Sequence, residues 1–458
     1  NDNYDNVSDS PQAAIGGYAP TPAPAHLLAP EFCAAVDRLG RKFFILALGV
    51  LSLGLFTFDD YRTLGLLALV IWVVAHVPFI VALVAKRAYL IGDPVAALPD
   101  DKLPKFSILV PVYHEANMMA QLARSLAAID YPHDRLEAFI LIEANDPETY
   151  AAAMSTAWSP FVRVLTVRAE GPQTKPRACN FGLAHGRGRH VVIYDAEDQL
   201  HPGLLREAAT RFHDAPCDVA CLQAPLIIDK GNRDWLTAMF ALEYRLLFTR
   251  FLPILSNYDF VIPLGGTSNH FRADILRAVG AWDSHNLTED AELGMRLAHF
   301  GFRTEMITKP TFENAPHRLK IFLRQRIRWQ SGHIQTISVH ARQPRRAINA
   351  MGAATYVFFM LVLMCRITNP IAHIFLIGHG ATIFAAPDTL TSSVMVISVN
   401  VYLLYFALAY RALDDEPKYS RLLYVLSLPA YWLLIAPATV IAVYRMACGQ
   451  PAWKKNTA

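Results

Sequence analysis

The chain has 458 residues, 53% of them hydrophobic, and a formal charge of +3 from 42 Lys and Arg against 39 Asp and Glu. That length exceeds one simple core and that apolar content exceeds the usual soluble balance, so part of the chain belongs in lipid. Near-neutral charge argues against nucleic acid as a partner and against capture of an acidic substrate by bulk field.

In chain order, residues 1–40 open with a Pro-, Ala- and Ser-rich stretch and read as a disordered tail, without the ordered regions of a signal peptide. Apolar runs at 43–58 and 64–85, the second broken by His76 and Pro78, predict a membrane hairpin within 41–87. From 99 to 346 the pattern becomes that of an α/β domain. Its runs at 106–113, 139–144, 162–167 and 190–195 are near-continuously apolar, as parallel strands covered on both faces require. Helices fit between them, which predicts a doubly wound, Rossmann-like sheet with its ligand site beyond the carboxyl ends of the strands. The aromatic-rich stretch 235–252 reads as either a core helix or one lying on the membrane surface. Residues 291–300 carry a helical stripe of Leu293, Leu297 and Phe300 that Gly301 should stop.

Four further spans are expected within 347–448, at 350–365, 370–386, 394–410 and 422–444, ahead of a short tail at 449–458. With two spans before the α/β domain and four after it, Arg41, Lys42, Lys86, Arg87, Arg342, Arg345, Arg346, Arg445, Lys454 and Lys455 share one side. This predicts a multi-pass inner-membrane protein with its α/β domain in the cytoplasm, although Arg411, Lys418 and Arg421 break the pattern. Arg366, His373 and His379 stand in or near apolar stretches, where polar groups either line a cavity or mark the ends of spans. The six cysteines, Cys33, Cys179, Cys217, Cys221, Cys365 and Cys448, lack a zinc-type spacing and read as reduced structural thiols.

Two acidic clusters and one mixed motif carry chemistry. Asp195-Ala196-Glu197-Asp198 ends the fourth apolar run, so three hard-oxygen carboxylates meet at a strand end, suited to Mg2+ or Mn2+ on a diphosphate or else to a solvated turn. Thr288-Glu289-Asp290 opens the predicted helix, where acids also complement the helix dipole. Gln325-Arg326-Ile327-Arg328-Trp329 sets Gln325, Arg328 and Trp329 at i, i+3 and i+4, placing an amide, a guanidinium and an indole on one helical face. Such a face can grip a phosphate and stack on a sugar ring.

These motifs in this order, between apolar runs, resemble the D, DxD, TED and QxxRW set of membrane-embedded family 2 glycosyltransferases, of which bacterial cellulose synthase is the best known. The resemblance covers roughly residues 105–346 and implies a GT-A-type domain that takes a sugar from a UDP-sugar donor, with Mg2+ or Mn2+. Asp195 and Glu197 take the two acidic places of DxD, with Glu where Asp is usual, and Asp198 is a further candidate metal ligand. Asp290 matches the general base, Glu289 beside it is expected to bind the acceptor, and Gln325, Arg328 and Trp329 match the residues closing over the pyrophosphate and the acceptor end. Tyr113 and Glu115 in Pro111-Val112-Tyr113-His114-Glu115 are expected near the uracil. Asp146, with Glu143 second, stands where the family binds base and ribose, and Lys175 where it contacts pyrophosphate. Gly266 and Thr267, after the strand-like residues 260–264, resemble the small-residue turn of the acceptor cleft.

The resemblance implies inversion, with Asp290 as base, and favours a processive synthase of a β-linked polysaccharide, glucose first and an N-acetylhexosamine second. A single-addition transferase on a lipid-linked acceptor is the alternative; a transporter with an idle domain fits the intact motifs least. The expected partners are the UDP-sugar, a polysaccharide acceptor, the lipid bilayer and regulatory or secretion proteins. No PilZ-type pattern for cyclic-di-GMP occurs in the chain.

Overall fold

The computed structural model describes residues 97–448, apart from 169–170, 230–233, 383–388 and 414–416, together with 32–34 and helical parts of 66–80. Most of the expected 41–87 hairpin, all of the 1–40 tail except 32–34, the 449–458 tail and the side chain of His379 lie outside the described residues.

The α/β domain is built on a seven-stranded sheet. Its strands are β1 (Phe106–Val112), β2 (Leu136–Glu143), β3 (Val162–Val167), β4 (His190–Ile193), β6 (Val219–Gln223), β8 (Asn269–Arg272) and β9 (Arg303–Met306). A second sheet holds β5 (Gln199–Leu200), β7 (Leu226–Ile228) and β10 (Thr311–Glu313). The large sheet runs in the order β3-β2-β1-β4-β8-β6-β9. The first four strands are mutually parallel, as their apolar runs required, with Phe106 opposite both Leu136 and His190. The sheet as a whole is mixed, because β8 is antiparallel to both β4 and β6.

The order reverses between β1 and β4, so a crevice opens where the two chains leave the sheet in opposite directions. Tyr113 follows β1 and Asp195 follows β4 by one residue beyond Ile193–Tyr194. Two apolar clusters fill the faces of the sheet. One joins Leu109, Leu141 and Ile193 to Phe240, Leu293 and Phe322; the other joins Ile108, Ile140 and Val192 to Leu122 and Leu205.

The aromatic stretch resolves as a core helix, Trp235–Leu246, with Met239, Phe240 and Leu242 at most 1% exposed. Residues 260–264 form no strand; they run as extended chain held by packing, since a Cβ on Gly294 would lie 2.3 Å from the carbonyl of Ile262. The helix Glu289–His299 starts at the TED motif, and Gly301 after it takes a φ of +81°.

Three apolar helices of spanning length follow the domain among the described residues, not four. The stretches expected as spans at 350–365 and 370–386 form one helix, Ala353–Thr382, which passes through Pro370 without ending. Helices Thr389–Ala412 and Leu428–Ala447 supply the others. The first apolar helix packs Tyr356, Phe359, Leu363 and Ile367 against Met295, Ile334 and Ile337 of the α/β domain, so the domain and the apolar helix share a core.

Candidate active site

A cavity of about 780 Å³ lies beyond the carboxyl ends of β1, β2 and β4. Each of its walls comes from a different part of the sequence. Tyr113 and Glu115 line it from the β1 end, Glu143 from β2, Lys175 from the start of the helix Lys175–His185, and Asp195 and Glu197 from the turn after β4. Gly266 comes from the extended loop, Glu289 and Asp290 from the TED helix, and Gln325, Arg328 and Trp329 from the long helix Leu319–His340. The i, i+3, i+4 face expected for the last three is the face turned to the cavity.

Gly266 joins the two halves of the site. Its carbonyl accepts a hydrogen bond from Lys175 Nζ at 2.7 Å, and Lys175 also ion-pairs with Asp195. On its other side, a Cβ added to Gly266 would meet Asp290 Oδ2 at 3.3 Å. One glycine therefore separates the carboxylate at the strand end from the carboxylate at the helix start, and only a residue without a side chain leaves that gap open.

The carboxylates are crowded. Burial and the neighbouring Asp290 push Glu289 up to about 7, against Lys175 and Arg328, which lower it. Asp290 is likewise raised, chiefly by burial, while the Ala291 N–H, donating to its Oδ1 at 2.7 Å, and Arg328 oppose the shift. A raised carboxylate is a better proton acceptor near neutral pH than an ordinary one.

The TED segment is clamped by the long helix. Arg328 Nη1 donates to the carbonyl of Leu287 at 3.1 Å, the Leu287 N–H donates to Gln335 Oε1 at 2.9 Å, and Asn286 Nδ2 donates to Thr336 Oγ1 at 3.3 Å. Arg326 faces the other way, paired with Glu243 and stacked over Trp329 at 4.6 Å.

Three expectations are corrected by position. Asp146, favoured over Glu143, is 1% exposed and does not line the cavity; it caps the helix Pro147–Ser155 through Thr149 N–H at 3.2 Å and accepts the His114 N–H at 2.5 Å. Glu143, the second choice, lines the cavity, ion-paired to Arg177. Asp198 is also 1% exposed and turned inward, accepting from Thr267 Oγ1 at 2.5 Å and from the Asp195 N–H at 2.8 Å. Thr267 is the partner of that bond and is no more exposed, so it braces the turn and does not line the acceptor cleft.

Other lining residues escaped the sequence reading. Glu313, at the end of β10, lies on the same wall as Asp195 and Glu197, and burial together with Asp198, Asp195 and Glu197 holds its carboxyl well above the usual range. It arrives there because β10 pairs antiparallel with β5, Phe312 opposite Gln199, bringing it beside the Asp195–Asp198 turn. Nothing local in Thr311-Phe312-Glu313 signals that pairing. His333 and Arg366 line the cavity as well; of the two, only Arg366 stood out in the sequence, as a charge in an apolar run that either lines a cavity or marks the end of a span.

Residues 104–332, half of the chain, match the family model described as glycosyltransferase like family 2. The chain belongs to that family. It is 24% identical over 247 residues to the probable glycosyltransferase YdaM of Bacillus subtilis (strain 168), covering 51% of this chain and 56% of that one. It is 23% identical over 295 residues to the cellulose synthase 1 catalytic subunit (UDP-forming) of Komagataeibacter xylinus, covering 62% and 38%. It is 24% identical over 235 residues to the beta-monoglucosyldiacylglycerol synthase of Trichormus variabilis (strain ATCC 29413 / PCC 7937), covering 51% and 50%. The chain thus spans about half the length, or less, of these curated relatives. Among solved structures, the mannosyltransferase PcManGT from Pyrobaculum calidifontis, in complex with GDP-Man and Mn2+, superposes with a TM-score of 0.54 at 16% identity, covering 83% of this chain and 99% of that one. The domain is a GT-A-like α/β fold of this glycosyltransferase family, and three apolar helices long enough to cross a bilayer follow it among the described residues.

Proposed function

We propose that this family 2 glycosyltransferase is inverting, takes a hexose, glucose first, from a UDP-sugar, and adds it repeatedly to a β-linked polysaccharide at the cytoplasmic face of the inner membrane. The observation that carries the reading is the bridge at Gly266, with Lys175 and Asp195 on one side and Asp290 on the other. A diphosphate at the first pair and an acceptor hydroxyl at the second would stand on opposite sides of one sugar ring, the geometry of in-line displacement.

In that arrangement Asp290 takes the proton of the acceptor hydroxyl. The acceptor oxygen forms the new bond to the anomeric carbon as the bond from that carbon to the β-phosphate oxygen breaks, and its electron pair leaves on UDP. Lys175 and Arg328 offset the charge gathering on the leaving group. Asp195 and Glu197 are the residues that would hold a divalent cation: hard oxygen donors at a strand end, with Lys175 already standing as a cation against Asp195. Bound there, Mg2+ or Mn2+ supplies neutralisation of the diphosphate. The Mn2+ of the mannosyltransferase with the same fold supports that choice of ion class.

A second reading, single addition to a lipid acceptor, is favoured by Arg366, which reaches the cavity from an apolar helix. Both are tested with the full chain in lipid nanodiscs, given individual UDP-sugars with Mg2+, Mn2+ or chelator, followed by digestion of products with linkage-specific glycosidases. The polysaccharide reading expects UDP release with a divalent ion and a polymer cut by a β-glucosidase. Release of UDP from no UDP-sugar, or full turnover in chelator, overturns it.

A further inference from the structure

Outside the cavity, three side chains with metal-ligand chemistry meet where residues 32–34 lie against the α/β domain. Phe32 packs edge-on to His299 with ring centroids 4.7 Å apart, the Cys33 carbonyl accepts from Arg342 Nη1 at 2.9 Å, and the Ala34 N–H donates to Asp283 Oδ2 at 2.7 Å. Those contacts set the Cys33 thiol beside the loop that precedes the TED helix. Its Sγ is 3.4 Å from Asp283 Oδ1 and 3.8 Å from His285 Nδ1, and His285 Nδ1 is 3.6 Å from Asp283 Oδ1. A thiol, a carboxylate and an imidazole thus form one triangle. Cys33 and His285 are 252 residues apart, so no spacing in the sequence joins them.

The triangle has the size of one face of a zinc tetrahedron. With Zn–S of about 2.3 Å and Zn–N or Zn–O of about 2.0–2.1 Å, ligand atoms on a tetrahedral ion stand about 3.3–3.6 Å apart, and all three edges lie within about 0.2 Å of that range. At 3.6 Å the imidazole and the carboxylate are at ion-pair distance, longer than a hydrogen bond between them would be. The Asp283 carboxylate is held in orientation by two backbone donors, the Ala34 N–H at 2.7 Å on Oδ2 and the His285 N–H at 3.0 Å on Oδ1. Cys33 and Asp283 are buried, whereas the His285 side chain is 34% exposed, so the ligands are shielded on one side and open to an entering ion on the other.

We infer that Cys33, Asp283 and His285 bind a zinc ion that fastens residues 32–34 to the loop before Asp290. Cys33 binds as the thiolate, its proton passing to water, and His285 binds through Nδ1 as the neutral imidazole, with water in the fourth place on the exposed side. Thiolate and imidazole ligands select Zn2+, whereas the carboxylates Asp195 and Glu197 suit Mg2+ or Mn2+, so the two sites take different ions. None of the three ligands lines the cavity, and the ion therefore positions the active site without touching substrate. Ser284, between two of the ligands, accepts at its carbonyl from Thr174 Oγ1 at 3.1 Å, next to Lys175, and the TED motif begins three residues after His285. The fastened loop thus touches both the lysine that meets Asp195 and the segment that carries Asp290.

The test uses the full chain in lipid nanodiscs, its purification tag removed, equilibrated with excess Mg2+ and micromolar free Zn2+ and then desalted. Metal analysis should find one zinc per chain. Cys33→Ser and His285→Ala should lose it, Asp283→Asn should bind it at least about tenfold more weakly, and Cys217→Ser, at an exposed thiol, should keep it. With Co2+ in place of Zn2+, wild type should show a thiolate-to-cobalt charge-transfer band that Cys33→Ser lacks. Zinc should raise the melting temperature of wild type and leave that of Cys33→Ser unchanged. His285→Ala, at the exposed ligand, decides the matter if Cys33→Ser does not fold. Wild type without stoichiometric zinc, zinc retained by Cys33→Ser and His285→Ala, or a cobalt spectrum without the thiolate band overturns the site. Zinc that is lost on Asp195→Asn or Cys217→Ser and kept on Cys33→Ser belongs elsewhere and overturns it too. None of these readouts uses UDP release, so their failure leaves glycosyl transfer standing, and a chain that binds zinc but releases no UDP counts against glycosyl transfer alone.

Discussion

The side-chain amide of Gln330 donates to the backbone carbonyl of Arg366 at 3.0 Å. That carbonyl lies four residues before Pro370, which has no N–H to return to it. Gln330 thus supplies the bond that the proline removes, and in doing so it fastens the helix that carries Arg328 and Trp329 to the first apolar helix.

Replacing Gln330 with Leu should leave the Arg366 carbonyl buried and unpaired, at a cost of roughly 1–3 kcal/mol. Pro370→Ala restores an N–H four residues on, so the double variant should recover most of the loss. Thermal unfolding of the two single variants and the double variant reads this coupling. Strict additivity would show that the proline and the glutamine do not act on one carbonyl.

Gly332 should tolerate no side chain. A Cβ there would lie 2.5 Å from Thr288 Cγ2 and 2.7 Å from the Thr288 N–H nitrogen, so Gly332→Val must push the TED segment away from the long helix. Overpacking of this kind costs roughly 1–3 kcal/mol. Transfer should fall far more than UDP affinity, because the base moves and the donor wall does not; calorimetry with UDP alongside a turnover assay separates the two.

The acid pair sets the pH dependence. Glu289 is pushed up to about 7 and Asp290 is raised with it, so the pair is protonated at a pH where ordinary carboxylates are ionised. A base works in its deprotonated form, so with Asp290 raised the transfer rate should still be climbing at a pH where ordinary carboxylates are already fully ionised. Stability runs the other way: the folded state binds the Glu289 proton more tightly than the unfolded chain, so this group favours folding below its ordinary pKa and loses that advantage as pH rises to about 7. Glu289→Gln should then raise the melting temperature more at pH 8 than at pH 5, while Asp290→Asn should cut transfer by about 10²–10⁴-fold with UDP binding retained. Melting curves and rates across pH check both.

Trp329 tests processivity. Its indole lines the cavity with Arg326 stacked over it at 4.6 Å and Phe240 6.2 Å away, so one face is fixed by the protein. If the other face holds the acceptor sugar between additions, Trp329→Ala should give shorter products or hydrolysis of the donor alone. Sizing the polymer from equal amounts of folded protein decides it; normal length with a lowered melting temperature would make Trp329 a packing residue only.

The sequence by itself determined the parallel strands β1 to β4, the helix start at Thr288-Glu289-Asp290 and the cavity face of Gln325, Arg328 and Trp329, since each depends on periodicity within a few residues. Only the tertiary structure shows that Glu143 and Glu197 line the cavity while Asp146 and Asp198 turn inward. A carboxylate faces the cavity or turns inward according to which donor meets it, and the donors are His114 for Asp146 and Thr267 for Asp198, 32 and 69 residues away. Glu313 joined the acids by a strand pairing with no local signature. Pro370 read as the start of a new span, but here the helix runs through it, and the carbonyl it leaves without an N–H is paired by Gln330, distant in sequence.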